Sequence, residues 1–193
     1  ANESPREWDN LGTMVCFHSR YTLGDKGGYD SLQEDVCSHK KYNEWWHDLE
    51  DNENAEDEED EGGWVRIAEK LEMIILPLYL YDHSGITMNT TGFSCGWDSG
   101  QVGVIYVTRE KVRKEYGVKR ISQKLLETIW ARLRSEVEVY DQFLTGDVYG
   151  FQLVEDGEET DSCWGFYGSD PEKNGMKDHW PQEWHDVPFE MVG

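Results

Sequence analysis

The sequence contains no long apolar run and is short of basic residues. No stretch of about 18 consecutive apolar residues occurs, so we expect no membrane-spanning helix and no membrane partner. The first residues, Ala1 to Pro5, lack the basic and then apolar pattern of a signal peptide. The four cysteines are widely spaced, which is typical of reduced thiols and not of a disulfide framework. These absences together predict a cytoplasm-like compartment.

The shortage of bases leaves a large negative charge. The 193 residues include 40 Asp and Glu against 18 Lys and Arg, so the formal net charge is -22. Such an excess repels nucleic acid and attracts basic protein surfaces or divalent cations. The chain is not an acidic disordered tail, because nine Trp and ten Tyr provide material for a packed core. We therefore expect a folded acidic protein that does not bind nucleic acid directly.

The basic residues are concentrated in one segment. Residues 109–134 contain nine Lys or Arg and three Glu, a net charge of +6, so the remainder of the chain carries -22 minus 6, or -28. A basic surface opposed to an acidic body predicts that the chain can associate with itself through segment 109–134. The alternative interpretation is a solvated helix face with no partner.

Hydrophobic periodicity predicts an α+β fold in a single domain spanning residues 1–193. A mainly antiparallel, twisted sheet would be packed by a long amphipathic helix that opens at Ser122 and ends near Gly146. Ile129, Trp130 and Leu133 would form its apolar face. The predicted strands of the sheet lie near Thr13, Ile74, Val102, Asp147 and Glu159.

Local signals add detail to this prediction. Asp156-Gly157 predicts a tight hairpin, and Pro77 places its strand at an edge or a bulge. A further helix is predicted over residues 31–49. An acidic loop is expected at about 48–63 and an irregular C-terminal tail from about residue 168.

The acidic residues suggest a mimic of a nucleic-acid backbone. Carboxylates at a surface can occupy the Lys/Arg groove of a nucleic-acid-binding enzyme, because that groove gains its affinity from charge neutralisation and counterion release. The alternative interpretation is a solvated charge run. The candidate partner-binding acids are Glu50, Asp51, Glu53, Glu56, Asp57, Glu58, Glu59, Asp60, Glu61, Glu155, Asp156, Glu158, Glu159 and Asp161.

Two Cys-x-His pairs raise the possibility of zinc. Cys16 with His18 and Cys37 with His39 provide four ligand types that suit zinc, although structural sites usually space the two residues of a pair more widely. The alternative is a buried Cys and a surface His in each pair. The acids around Asp51 do not form an EF-hand, because no window has both the required Gly and the required final Glu. No cofactor is predicted beyond this possible zinc.

Motifs that identify an enzyme are absent. The sequence has no Walker loop, no dinucleotide-binding fingerprint, no His-Glu-x-x-His and no Gly-x-Ser-x-Gly elbow. Asp82-His83-Ser84 and Asp98-Ser99 contain the residue types of a triad, but adjacent residues cannot face one another as a triad requires. We therefore expect a binding role and identify no catalytic residue.

Four strings in the sequence point to a family. They are EWDNLGTMVCFH at 7–18, LYLYDHSGIT at 78–87, WDSGQVG at 97–103 and DSCWGFYG at 161–168. Together they resemble a family of small acidic proteins carried by bacteriophages and other mobile elements, over most of the chain from Trp8 to Gly168. The resemblance provides no catalytic residues to carry over to this sequence.

The resemblance to phage proteins suggests a class of function. Acidic phage proteins that mimic nucleic acid commonly block restriction enzymes, CRISPR effectors or repair glycosylases. The sequence hypothesis is therefore an antirestriction or anti-CRISPR inhibitor that acts in the cytoplasm of the bacterial host. The alternatives are a zinc-stabilised phage protein with enzymatic or regulatory activity, and a structural or self-associating phage protein.

Overall fold

The helices and strands of this computed structural model form a mixed α+β fold, as the sequence predicts. Residues 3–28, 30–42 and 62–192 are described. The strands are β1 (Thr13–Cys16), β2 (Lys26–Gly27), β3 (Ile74–Asp82), β4 (Ile86–Asn89), β5 (Ser99–Val107), β6 (Val148–Glu155) and β7 (Glu158–Tyr167). The helices are α1 (Asp30–Ser38), α2 (Gly62–Lys70), α3 (Arg109–Glu115) and α4 (Gln123–Thr145). Short 3-10 turns cover Pro5–Glu7, Met176–His179 and Gln182–Trp184.

Two separate sheets replace the single sheet that the sequence suggests. The larger sheet has five strands in the order β2-β1-β5-β3-β4, and every pairing in it is antiparallel except β1 with β2. The strands predicted near Asp147 and Glu159 are β6 and β7, which pair only with each other. The sequence prediction was wrong on this point, because strand periodicity does not tell which strands are neighbours.

The larger sheet buries both of its faces. On one face, α4 and α3 cover a cluster that includes Met14, Leu78 and Ile105. On the other face, α1 and α2 cover a second cluster that includes Val15 and Tyr106. Met14 and Val15 of β1 belong to different clusters because successive side chains of a strand point to opposite faces of the sheet. The fold therefore has helices on both sides of the sheet.

Helix α4 confirms the predicted long amphipathic helix. Its N-cap is Ser122, whose Oγ accepts a hydrogen bond from the Leu125 N–H at 3.2 Å, and its C-cap is Gly146 in the left-handed conformation with φ 77°. Ile129 and Leu133 are fully buried against the sheet and Trp130 packs beside them. Burial of each such side chain contributes about 1.5–3 kcal/mol to folding.

Pro77 lies where the sheet tolerates a missing donor. It pairs with Val104 of β5 on one side, whereas β4 reaches only the part of β3 from Tyr79 to Asp82. The register also shifts between Leu78 and Tyr79. Pro77 therefore lies where β3 has a neighbouring strand on one side only, next to a bulge, as predicted.

Two predicted boundaries differ in the structure. The helix expected over residues 31–49 ends at Ser38, after which the His39 N–H bonds to the Val36 carbonyl in a turn. Gly62 and Gly63, expected to close the acidic loop, already belong to α2. The remainder of that loop, residues 48–61, lies outside the described residues. Within the described ranges, no helix is long and apolar enough to cross a membrane.

Candidate functional site

The turn between β6 and β7 presents a compact acidic surface. Glu155 pairs with Glu158 across a two-residue turn in which Asp156 has φ 51° and Gly157 has φ 87°. Two successive residues with positive φ are the signature of the type I′ turn that Asp-Gly favours. The hairpin predicted from Asp156-Gly157 is therefore confirmed.

Five carboxylates are gathered at this tip. Residues 155–161 contain five acids and no Lys or Arg, and all five are exposed. We call this set the hairpin acids: Glu155, Asp156, Glu158, Glu159 and Asp161. In the described part of the chain none of them forms an ion pair. Glu159 instead accepts hydrogen bonds from Gln152 Nε2 at 3.0 Å and Ser162 Oγ at 2.9 Å. The tip therefore carries uncompensated negative charge on an ordered support.

The hairpin is held to the rest of the domain at its base. The Asp147 N–H donates to the Gln142 carbonyl of α4 at 2.8 Å, and the Tyr167 hydroxyl donates to the Glu3 carbonyl at 2.6 Å. The Tyr167 ring also lies 6.5 Å from the ring of Phe143 on α4. These contacts fix the direction in which the hairpin acids project.

An aromatic groove lies beside the same hairpin. The C-terminal tail crosses the hairpin, and between them is a cavity of about 700 Å³. Phe151 and Trp180 line this cavity and form a small buried cluster with Phe166, and the lining Trp164 is 66 % exposed. The sequence predicts only an irregular tail here. The signal available in the sequence was the repeated Trp and Pro of residues 180–188, which favour packing over disorder.

The predicted acidic sites are divided between described and undescribed residues. The hairpin acids lie together as above. The loop candidates, Glu50, Asp51, Glu53, Glu56, Asp57, Glu58, Glu59, Asp60 and Glu61, lie outside the described residues.

The four candidate zinc ligands occupy opposite sides of the larger sheet. Cys16 is buried in the cluster under α4, whereas Cys37 is exposed on α1, which packs on the other face. Burial, with Asp25 nearby, raises the pKa of the Cys16 thiol to about 12, which opposes formation of the thiolate that binds metal. The fold therefore separates the two Cys-x-His pairs.

The two histidines use one ring nitrogen each within their own loops. His18 Nδ1 accepts the N–H groups of Arg20 at 3.2 Å and Tyr21 at 3.3 Å, and His39 Nδ1 accepts the Lys41 N–H at 3.2 Å. Over residues 3–28, 30–42 and 62–192, no group of three or more His, Cys, Asp or Glu side chains is arranged to hold a metal ion. The described side chains thus give the zinc hypothesis no assembled ligand set.

One cluster of catalytic residue types does form at the surface. His83 Nδ1 lies 3.2 Å from Asp98 Oδ2, and Cys95 Sγ lies 4.0 Å from the same carboxylate oxygen. No hydrogen bond joins the His83 imidazole to the Cys95 thiol among the described residues. A Cys–His nucleophile pair requires that direct contact. We therefore assign no catalytic role to this cluster.

The basic segment forms an exposed patch on α3 and α4. Three of its nine cations bind within the domain: Arg109 to the Glu72 carbonyl, Lys111 to the Asn10 carbonyl, and Arg132 to two glutamates. The other six are exposed and form no ion pair with any described residue. They are Arg113, Lys114, Lys119, Arg120, Lys124 and Arg134.

A polar cleft of about 400 Å³ lies near the N-terminus. Some of its polar groups bind one another. The Arg6 guanidinium binds Asp25, and the Tyr106 hydroxyl donates to Asp35 Oδ2 at 3.0 Å. Such contacts help to hold the structure together, and we assign no ligand to this cleft.

Comparison with known proteins identifies no relative. The chain matches no protein-family model, no curated protein and no solved structure.

Proposed function

We propose that the protein is an acidic inhibitor that occupies the basic groove of a nucleic-acid-binding protein. The observation that carries the proposal is the set of hairpin acids, five exposed carboxylates on an anchored β-hairpin that have no cationic partner among residues 3–28, 30–42 and 62–192. Because strand pairing and contacts at the base hold the hairpin backbone, the hairpin acids present a defined pattern of charge to a partner. Competition for the groove then draws on the same charge neutralisation that favours nucleic acid.

The acidic segment 50–61 lies outside the described residues and adds nine further carboxylates to the proposal. Together with the hairpin acids these are 14 of the 40 acids of the chain. The net charge of -22 also keeps the chain itself away from DNA and RNA. The resemblance to acidic phage proteins makes host defence enzymes, such as restriction enzymes or CRISPR effectors, the expected targets in the bacterial cytoplasm.

The test is capture of partners from bacterial lysate with the tagged full chain. Nuclease-treated lysate is applied at about 50 mM and about 500 mM salt, since a charge-driven contact weakens steeply over this range. The expected result is retention of nucleic-acid-binding proteins at low salt and their release at high salt. An activity assay of the captured protein, with and without the chain, then shows inhibition that added nucleic acid relieves.

A charge-reversal variant assigns the contact to the hairpin. Changing the five hairpin acids to Lys should abolish capture, and a second variant reversing residues 56–61 tests the loop in the same way. The matched control reverses five scattered exposed acids and has the same net charge: Glu34, Glu69, Glu127, Glu138 and Asp178. If the hairpin variant captures and inhibits as the control does, the hairpin does not carry the function.

Self-association is a second candidate function. Six cations of the basic patch form no ion pair with any described residue, whereas the chain outside residues 109–134 has a net negative charge. The basic patch of one copy therefore complements the hairpin acids of another copy. Light scattering after size exclusion at low and high salt tests this. A salt-sensitive oligomer that the hairpin variant cannot form would support a structural or self-associating role.

A further inference from the structure

The groove beside the hairpin follows the free edge of β6. Residues 148–154 all line it in succession, whereas Trp164 is the one lining residue from β7. Successive strand residues point to opposite faces, so a cavity touched by all of them runs along the edge of the strand and not across one face. The opposite wall is the tail from Val187 to Val192.

The backbone along this edge has no partner in the described structure. β6 pairs with β7 only, and no backbone hydrogen bond from residues 149–154 reaches the tail. Alternate residues of an antiparallel strand direct their N–H and C=O groups away from the paired strand. Such an edge is a template for an added strand.

A buried donor in the groove also lacks a partner. Trp180 is 9 % exposed, and its Nε1–H has no hydrogen-bond acceptor among the described residues. Its ring is held edge-on between Phe151 at 6.2 Å and Phe189 at 5.7 Å. The Nε1 atom itself has almost no solvent-accessible surface, so a ligand reaches it only when neighbouring side chains shift. A buried N–H without an acceptor is costly, and a peptide carbonyl that reaches it would relieve that cost.

The charge around the groove defines the partner. Residues 148–192 contain eleven Asp or Glu and two Lys, a net charge of -9, although the groove itself is lined mainly by apolar side chains. Glu155 and Glu190 stand at the strand end and on the tail wall. An extended segment whose side chains alternate between apolar and basic would bury one set against Phe151 and Leu153 and direct the other set toward these acids.

We propose that this groove binds an extended apolar and basic peptide segment of a partner protein, which adds to β6 as a third strand. The site shares only Glu155 with the hairpin acids, and its occupation does not require that the partner bind nucleic acid. The backbone of the added strand supplies affinity, and the Trp180 N–H donates to one of its carbonyls.

The test uses a fluorescein-labelled peptide of about ten alternating Leu and Lys residues and the full chain, read by fluorescence anisotropy. Saturable binding is expected. The same peptide N-methylated at alternate residues should bind at least tenfold more weakly, because it cannot complete the ladder. Equal binding of the N-methylated peptide, equal binding of a Leu and Glu peptide, or no binding of the Leu and Lys peptide would each overturn the proposal.

A conservative pair of variants tests the buried donor. Trp180→Phe keeps the ring and removes the N–H, and should weaken peptide binding about fivefold, the equivalent of one ordinary hydrogen bond. Trp97→Phe is the matched control, because Trp97 is 97 % exposed and outside the groove. Equal affinities of the two variants would contradict the role of Trp180.

The same variants separate this site from the proposed inhibitory function. Trp180→Phe should leave salt-sensitive capture by the hairpin acids unchanged, whereas reversal of those acids should remove it. If light scattering shows that the groove is already filled by a second copy, and Trp180→Phe dissociates that dimer, a partner peptide is not the occupant and the proposal is wrong.

Discussion

Arg6 and Asp25 form a two-point ion pair that ties the N-terminal segment to the start of β2. The guanidinium Nε donates to Asp25 Oδ1 and Nη2 donates to Oδ2, both at 2.7 Å. Asp25 also accepts the Met14 N–H at 2.8 Å, and Arg6 Nη1 lies 3.3 Å from Glu136 Oε2 on α4. The Arg6 side chain is only 4 % exposed, so its charge depends on these partners.

Removal of Arg6 should strongly destabilise the fold. Arg6→Met leaves the Asp25 and Glu136 carboxylates without their cation, and breaking a buried pair in this way costs about 3–5 kcal/mol. The free energy of unfolding in urea measures the loss. The control is Lys173→Met, because Lys173 pairs with Asp170 at 2.9 Å but is 85 % exposed, and should change stability by less than about 1 kcal/mol. Equal losses of unfolding free energy in the two variants would contradict the stabilising role of Arg6 with Asp25 and Glu136.

Gly103 allows β1 and β5 to approach closely. A Cβ built on Gly103 would lie 2.0 Å from the Val15 carbonyl oxygen, and a backbone atom cannot rotate away. Gly103→Ala should therefore shift the strands apart and cost more than about 2 kcal/mol, the scale of overpacking a core. Gly100→Ala on the same strand meets nothing within 4 Å and is the control. Thermal unfolding distinguishes them, and similar melting temperatures would count against this interpretation.

The hairpin turn depends on Gly157. Gly157 has φ 87°, and in this left-handed conformation the Cβ of an Ala would crowd the backbone and destabilise the folded state by about 1–2 kcal/mol. Gly157→Ala should lower the melting temperature by about 2–8 °C if the hairpin unfolds with the domain. Gly96→Ala is the control, since Gly96 has open space and no positive φ. An unchanged melting temperature for Gly157→Ala would show that the hairpin unfolds separately.

Alkaline pH should destabilise the protein through Cys16. Burial raises the pKa of this thiol from 9.0 to about 12, so between these values the unfolded chain releases a proton that the folded chain retains. The stabilising contribution is therefore full below pH 9 and is lost as pH rises toward 12, at no more than about 1.4 kcal/mol per pH unit. Burial also raises the pKa of Tyr140, which acts in the same direction.

Urea unfolding at a series of alkaline pH values measures this loss. Cys16→Ala should flatten the fall in stability, because it removes the group whose protonation differs between the two states. Cys37→Ala, at an exposed thiol, should leave the slope as in the native chain. The same slope in all three proteins would mean that Cys16 does not contribute.

The proposed functional surface was only partly foreseeable from the sequence. Asp156-Gly157 predicted the turn because its φ preferences are local, and the five acids around it were then placed at one tip. The groove was not foreseen, since Phe151, Trp164 and Trp180 become neighbours only when the tail folds back on the hairpin. The separation of Cys16 and Cys37 was not foreseen either, because only strand pairing and helix packing place them on different faces of the larger sheet.

The sequence by itself determined the features that depend on neighbours along the chain. These are the start and end of α4 at Ser122 and Gly146, the turn at Asp156-Gly157 and the irregular strand pairing near Pro77. The tertiary structure alone decided the separation of β6 and β7 from the larger sheet, and the meeting of Arg6 with Glu136 across 130 residues. Capping and turn preferences act within a few residues, whereas strand partners and buried ion pairs depend on which distant surfaces exclude water together.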